Sequence, residues 1–143
     1  MLGRGFLPAG DLFRARVDLL MTDLTYVGRQ SILDADEQVY GYELLYRHST
    51  DNRADFVDDD QGTAAVLSSV FTSIGLDALV GRKPAFINVP RSFLVGEYPL
   101  PEPTGQLVVE VLEAVELDEE VMQGLRALKQ KGFTLALNNC AVQ

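Results

Sequence analysis

The chain has 143 residues, which suits one domain, and its 47% hydrophobic and 23% charged residues are typical of a globular protein. A formal net charge of −9 disfavours binding to duplex nucleic acid, because its phosphates repel an acidic surface. The one cysteine excludes an internal disulfide and fits a reducing compartment, and no apolar run approaches the roughly 20 residues of a membrane helix. We therefore expect a cytoplasmic protein without membrane contact.

The first 23 residues hold no signal-like apolar core, because charged residues interrupt the apolar positions between residues 11 and 18. We predict a disordered extension there. From residue 24, strands and helices alternate after a first pair of strands, in the order ββαβ(α)βαβ. The predicted strands cover residues 24–32, 39–47, 84–89, 107–113 and 133–138, and the predicted helices cover 61–80, 91–95 and 117–131. This alternation predicts an α/β fold, either layered or a barrel.

The second predicted strand carries a carboxylate at a position where a core residue is expected. A strand has a two-residue side-chain period, so Tyr40, Tyr42, Leu44 and Tyr46 share one large apolar face and Glu43 lies on the other. If both faces of the sheet are covered, Glu43 points into an interior. Burying a charge costs several kcal/mol, roughly, unless the charge is paired or binds a metal. Glu43 is therefore a candidate functional residue.

Other predicted strands repeat this pattern of one oxygen-bearing side chain near the carboxyl end. They carry Asn88, Glu110 and the pair Asn138-Asn139. In parallel α/β folds, ligand sites assemble at the carboxyl ends of the strands. Carboxylate and amide oxygens without histidine or cysteine suit Mg²⁺, Mn²⁺ or Ca²⁺. The alternative interpretation, in which each side chain is a hydrogen-bonded polar group of the core, stays open.

From residue 26 to residue 139 the chain resembles the first half of an EAL domain, the bacterial cyclic-di-GMP phosphodiesterase family. The resemblance rests on five segments: Gln30-Ser31-Ile32, Gly41-Tyr42-Glu43-Leu44-Leu45-Tyr46-Arg47, Phe86-Ile87-Asn88-Val89, Val109-Glu110-Val111-Leu112-Glu113 and Leu135-Ala136-Leu137-Asn138-Asn139. Within the family, the chain is most similar to the subgroup in which an EAL-like part precedes an HDOD domain. The implied fold is an incomplete (β/α) TIM-like barrel of about five strands, with residues 24–143 forming a truncated half.

The resemblance also implies a site. Its implied metal ligands are Glu43, Asn88 and Glu110, and its metal would be Mg²⁺ or Mn²⁺, with Ca²⁺ inhibitory, if any metal is bound. The implied substrate-binding residues are Gln30, Glu43, Leu45 and Arg47. Glu113 would support the loop beside the site. The implied reaction is hydrolysis of a phosphodiester by a water that the metals activate.

Two departures from the family pattern argue against that reaction. Asn138 and Asn139 stand where the family has two aspartates that hold and bridge the metals. Their replacement removes two negative charges from a site for two dications. The family's catalytic lysine would lie beyond residue 143. We therefore expect no intact catalytic residues and no hydrolysis.

Three functional hypotheses follow from the sequence. The first is a degenerate EAL-like signalling module that binds cyclic-di-GMP or a protein partner. The second is a phosphodiesterase that is active only when a missing half completes it. The third is an unrelated α/β fragment with structural polar groups. Five strands of a barrel also leave an open sheet edge, through which we expect a homodimer or a protein partner to bind.

Overall fold

The computed structural model describes residues 3–4, 12–16, 24–47, 59–68, 70–71 and 75–138. The strands are β1 (Gly3–Arg4), β2 (Leu12–Arg16), β3 (Leu24–Leu33), β4 (Val39–Arg47), β5 (Ala85–Val89), β6 (Leu107–Leu112) and β7 (Thr134–Asn138). The helices are α1 (Asp59–Ser68), α2 (Leu76–Val80), α3 (Arg91–Leu94) and α4 (Glu119–Gln130). Among these residues no helix is long and apolar enough to cross a membrane.

All seven strands form one mixed sheet. The order along it is β1-β3-β4-β5-β6-β7, and β2 also pairs with β3. β3 and β4 are antiparallel to each other, whereas β4, β5, β6 and β7 run parallel to one another. Within the described residues β7 ends the sheet, which does not close on itself. This confirms the predicted α/β fold and its incomplete barrel of interleaved strands and helices.

The sheet buries both of its faces. On the outer face, strand residues such as Leu44, Ile87 and Val109 pack in one cluster with helix residues such as Val66 and Val121. On the opposite, inner face a smaller apolar cluster is formed by Ile32, Phe86 and Val108, each less than 10% exposed. Parallel strands covered on both faces read as nearly continuous apolar runs, as in Leu107–Leu112.

The predicted helix over residues 61–80 is wrong in its extent. Among the described residues of this range the structure has α1, π-helical residues 70–71, and α2, with Gly75 preceding α2. Gly75 has a φ of 83°, in the left-handed region that a right-handed helix cannot include. The apolar periodicity continues across this glycine, so the pattern alone did not reveal the break. α2 is held against β3, because Arg29 donates a hydrogen bond from Nη1 to the carbonyl of Leu79 at 2.7 Å.

The last helix is shorter than predicted at both ends. α4 begins after Asp118, whose side chain accepts a hydrogen bond from the backbone N–H of Val121 at 2.9 Å. This is the usual N-cap arrangement, which satisfies one of the free amides of the first turn. The two acidic residues that follow, Glu119 and Glu120, lie at the positive end of the helix dipole. Charge and capping therefore fix the start of α4.

The predicted disordered extension, residues 1–23, contributes two short strands. β1 and β2 both pair antiparallel with β3, on the side away from β4. At the residues of β1 and β2 the structure differs from the expected disorder. The remaining residues of this stretch lie outside the described part of the chain, as do residues 48–58. The antiparallel pairing explains how so short a stretch can be ordered, because its backbone hydrogen bonds go to a neighbouring strand.

Two glycines in helices allow a matched test of the packing. A Cβ on Gly124 of α4 would lie 2.0 Å from the carbonyl oxygen of Leu94, whereas a Cβ on Gly62 of α1 would meet only Tyr46, at 3.7 Å. Gly124→Ala should destabilise the fold by about 1–3 kcal/mol through overpacking. This net figure already includes the gain in helix propensity from glycine to alanine. Gly62→Ala should stabilise it by about 0.5–1 kcal/mol. Urea unfolding midpoints of the two variants measure this difference, and equal shifts would contradict the close α3–α4 contact.

Candidate functional site

Glu43 is buried in the middle of β4. It is 3% exposed, and its neighbour Leu44 is 2% exposed on the opposite face. The predicted alternation in β4 is thus confirmed, with Tyr42 and Tyr46 packed against the outer core. Tyr40 differs from the prediction of a continuous apolar face, because it is 45% exposed near the start of the strand. Strand periodicity therefore places one carboxylate among the inner-face positions.

Asn88 of β5 contacts this carboxylate directly. Its side-chain nitrogen Nδ2 donates a hydrogen bond to Oε1 of Glu43, with 2.6 Å between the two atoms. The parallel register pairs Glu43 with Phe86 and Leu44 with Ile87. Asn88 therefore lies on the neighbouring strand two residues beyond the partner of Glu43. The backbone pairing of β4 with β5 therefore brings the amide to the carboxylate. A hydrogen bond to a charged acceptor is among the stronger ones in proteins.

Glu110 of β6 extends the polar cluster to a third strand. It is in register with Asn88 and is 4% exposed. On the same face, Phe86 and Val108 precede Asn88 and Glu110 by two residues. Asn88 and Glu110 therefore lie nearer the carboxyl ends of the strands than the apolar inner cluster, whereas Glu43 lies level with Phe86. We call Glu43, Asn88 and Glu110 the inner-face triad.

The other predicted site positions take the following places. Gln30 pairs with Glu43, and Arg47 is the last residue of β4, opposite Tyr26. Leu45 pairs with Gly28, also on the face of Glu43. Asn138 ends β7 and pairs with Leu112, two residues beyond Glu110.

The structure places one of the two remaining predicted positions. Asn139 lies outside the described residues. Glu113 lies in the turn after β6, where its side chain is exposed.

Sequence reasoning missed two contacts that fix the strand bearing Asn88. The hydroxyl of Thr63 in α1 donates a hydrogen bond to the backbone carbonyl of Asn88 at 3.1 Å. One helical turn earlier, Asp60 accepts a hydrogen bond from the hydroxyl of Ser92, just beyond β5. Thr63 is 8% exposed, so a polar residue lies at a buried helix position. The one sequence signal is a threonine one turn before the apolar pair Val66-Leu67.

A pocket of about 800 Å³ opens at the same end of the sheet, beyond β5 and β6. Its lining residues are Asp60, Pro90, Arg91, Ser92, Glu97, Leu112, Ala114, Val115, Glu116 and Asp118. Four carboxylates and a single guanidinium make this lining acidic. An acidic pocket repels phosphate, so anion binding here would require a cation.

Arg91 joins the loop after β5 to the start of α4. Its guanidinium contacts Oδ2 of Asp118 at 2.7 Å and Oε2 of Glu120 at 2.5 Å. The pKa of Asp118 is lowered, first by the hydrogen bond from the backbone N–H of Val121 and further by Arg91. The pKa of Arg91 is raised, chiefly by its hydrogen bond to Asp118. These charges are near the surface, so they shape the pocket wall more than they stabilise the fold.

The inner-face triad offers a partial set of metal ligands. Its two carboxylates and one amide oxygen are hard donors that suit Mg²⁺, Mn²⁺ or Ca²⁺. Within the described ranges, however, no three side chains of aspartate, glutamate, histidine or cysteine are grouped closely enough to hold a metal ion.

Comparison with known proteins supports the resemblance to EAL proteins. No family model matches the chain. The chain is 36% identical over 116 residues to cyclic di-GMP phosphodiesterase CdgJ of Vibrio cholerae, covering 80% of this chain and 27% of that protein. It is 35% identical over 114 residues to the uncharacterized protein YuxH of Bacillus subtilis, covering 80% of this chain and 28% of that protein. The chain thus spans little more than a quarter of these relatives.

A solved structure shows a similar fold. The Bacillus subtilis YkuI protein, which has an EAL domain and was crystallised with its substrate c-di-GMP and calcium, matches with a TM-score of 0.53 and 17% sequence identity. The match covers 95% of this chain and 38% of YkuI. At this identity the likeness concerns the fold. Together with the sequence matches, it supports an EAL-like fold for the chain.

Removal of the amide that faces Glu43 should destabilise the protein. We expect Asn88→Ala to cost about 1.5–3 kcal/mol, because the buried carboxylate of Glu43 loses one of its donors. The matched control is Gln123→Ala, which removes an exposed amide that bonds Glu119 at 3.3 Å, and we expect a change within about 0.5 kcal/mol. Urea unfolding measures both variants. Equal effects would mean that the Glu43–Asn88 contact contributes nothing to stability.

The charge of Asp118 should contribute a pH-dependent part of the stability. Because folding lowers its pKa, this contribution is present above the unfolded pKa of about 3.9 and is lost as pH falls through the lower folded value. Asp118→Asn retains a capping oxygen but no charge. The wild type should therefore unfold at higher urea than the variant at neutral pH. The difference should shrink below about pH 4, and a difference that is independent of pH would contradict this assignment.

Proposed function

We propose that the chain is a degenerate EAL-like module that acts in cyclic-di-GMP-linked signalling by binding the nucleotide or a protein partner, without hydrolysing it. The observation that carries the proposal is the inner-face triad, in which buried Glu43 accepts a hydrogen bond from Asn88 beside buried Glu110. The likeness to a phosphodiesterase of Vibrio cholerae and to a structure with bound c-di-GMP supports the ligand class.

The triad would hold the cation in this proposal, either Mg²⁺ or Mn²⁺, with Ca²⁺ as an inhibitory substitute. A bound cation would supply positive charge that attracts the phosphates of the nucleotide. Asparagine ligates a cation through its amide oxygen, whereas the nitrogen of Asn88 faces Glu43. The amide oxygen of Asn88 is therefore left for the cation while its nitrogen donates to Glu43. Binding without any metal is the other form of the proposal.

The replacement of two aspartates of the family pattern by Asn138 and Asn139 argues against catalysis. An amide in place of a carboxylate removes one negative charge, and a unit charge pair at about 4 Å contributes about 4 kcal/mol at an effective dielectric of 20. Such a loss corresponds to roughly a thousandfold in affinity for the cation. Asn138 lies on the inner face by register, two residues beyond Glu110. Two metals could not both be held tightly beside two such replacements.

The remaining positions receive roles in the same proposal. Gln30, Leu45 and Arg47 would contact the nucleotide, and Glu113 would support the loop beside the site. This proposal also assigns the chain to the HDOD-containing subgroup and to the cytoplasm. It further includes a homodimer or partner contact at the free end of the sheet. β7 offers that free end among the described strands.

A second candidate function is phosphodiester hydrolysis by a completed barrel. It is favoured by the retained triad and by the name of the Vibrio cholerae relative. It requires further barrel strands that supply the missing charges. The third hypothesis, an unrelated fragment, is disfavoured by 36% identity over 116 residues.

Calorimetric titration with cyclic-di-GMP in the presence of Ca²⁺ tests the nucleotide-binding form. We expect Glu43→Gln to weaken binding at least about tenfold, because a carboxylate beside the cation loses its charge. Asn138→Asp should tighten binding by about as much, for the opposite reason. Glu102→Gln is the control, because this glutamate is exposed in the loop between α3 and β6, and it should change nothing.

The other outcomes separate the hypotheses. Absence of heat at high micromolar nucleotide would leave only the protein-partner form of the proposal. Turnover with Mg²⁺ or Mn²⁺ that disappears in Glu43→Ala would establish the enzyme instead. If Glu43→Gln and Glu110→Gln both fold as well as the wild type and no metal binds, the triad is merely structural.

A further inference from the structure

The edge of β3 that faces away from β4 is covered by the N-terminal residues of the same chain. β2 pairs antiparallel along the first half of β3, from Leu12 opposite Gly28 to Arg16 opposite Leu24. β1 pairs at the other end, with Gly3 opposite Leu33. Both ends of the longest strand thus have a neighbour on this side.

This edge is the one against which a barrel would close. The strands β3 to β7 form a continuous run, and β3 is its first member. In a closed barrel each strand has two neighbours, so the last strand of the barrel would pair with the free side of β3. β1 and β2 occupy that place. While they are paired there, no other strand can use the same backbone groups.

The sequence of β3 shows why the edge needs a neighbour. The stretch that β2 covers, residues 24–28, is Leu-Thr-Tyr-Val-Gly, without a charge or a proline. Uncharged strands rich in β-branched and aromatic residues pair readily with other chains when their edge is open. β2, in contrast, has arginines at two of its five positions. Charged residues are a common means by which an outermost strand resists further pairing.

We propose that the free side of β3 is a strand-binding site, which the chain fills with its own residues 12–16. When that segment is removed, the site binds the equivalent edge of a second copy of the chain. Recognition is by backbone hydrogen bonds, as in other cases of strand addition. The proposal is independent of nucleotide binding.

Hydrogen exchange of the β3 amides tests the pairing in the intact chain. Successive amides of a strand point to opposite sides, so along residues 26–28, which pair with both β2 and β4, the amides face β2 and β4 in turn. In Arg14→Pro/Ala15→Pro, one of two consecutive prolines removes a donor that faces β3. We expect the β2-facing amides to exchange about tenfold faster and the β4-facing amides to remain unchanged. The control, Arg14→Thr/Ala15→Val, keeps both N–H groups and should exchange like the wild type.

A chain without residues 1–23 tests the second-copy claim. We expect it to dimerise in analytical ultracentrifugation, with the alternate β3 amides protected in the dimer, and a synthetic peptide of residues 1–23 to return it to a monomer. The same peptide with prolines at positions 14 and 15 should fail. A dimer whose alternate β3 amides exchange freely would overturn the claim, and so would a stable monomer.

Unaltered exchange in the proline variant of the intact chain would overturn the proposal itself. This measurement also decides the matter if the shortened chain does not fold. Titration with cyclic-di-GMP is unaffected by either result, so failure here is distinguishable from failure of the proposed function.

Discussion

The burial of a carboxylate between parallel strands is the constraint on which the rest of the site depends. Glu43 is 3% exposed and bonds Asn88 across the β4–β5 pair. A buried charge that loses its partners costs roughly several kcal/mol. The polar contact therefore helps to fix the register of these two strands, in addition to packing. Thr63 and Asp60 extend this constraint to α1, because they bond the backbone of Asn88 and the side chain of Ser92. Helix α1 and the strands β4 and β5 are thereby tied to one polar cluster.

The inner face divides into an apolar part and a polar part, and this division sets the chemistry available to the triad. Ile32, Phe86 and Val108 fill the part nearer the amino ends of the parallel strands. Charges next to such an apolar layer interact more strongly than charges in water. The same environment penalises any charge without a partner. Loss of the two aspartates therefore has a double effect under our proposal: it weakens cation binding, and it removes the repulsion that two further carboxylates would exert on Glu43 and Glu110 when no cation is bound.

Much of this arrangement could be predicted from the sequence, because strand periodicity is a local property. The alternation around Glu43 predicts that this carboxylate lies apart from the large apolar face of β4, and in the structure it is buried on the opposite face from Leu44. The helix break at Gly75 could not be predicted, since the apolar periodicity continues through it and only the backbone φ of 83° reveals the turn. Thr63 was missed because its partner is a backbone carbonyl, which has no signature in the sequence. The strands β1 and β2 were missed because they are stabilised by pairing with β3, which is distant in sequence, rather than by their own composition.

Each end of the sheet has a strand edge whose backbone groups need hydrogen-bond partners, and the two edges differ in what the chain provides for them. At one end β1 and β2 supply in-chain neighbours to β3, whereas among the described strands β7 ends the sheet. An unpaired strand edge is a row of donors and acceptors that must find water or another strand. Asn138, the residue at the end of β7, lies on the face of the triad. A strand added beside β7 would therefore lie next to the position where the charge deficit is located. Under our proposal, a partner bound at this end of the sheet could also supply the missing negative charge there. Partner binding and cation binding would then be coupled through β7.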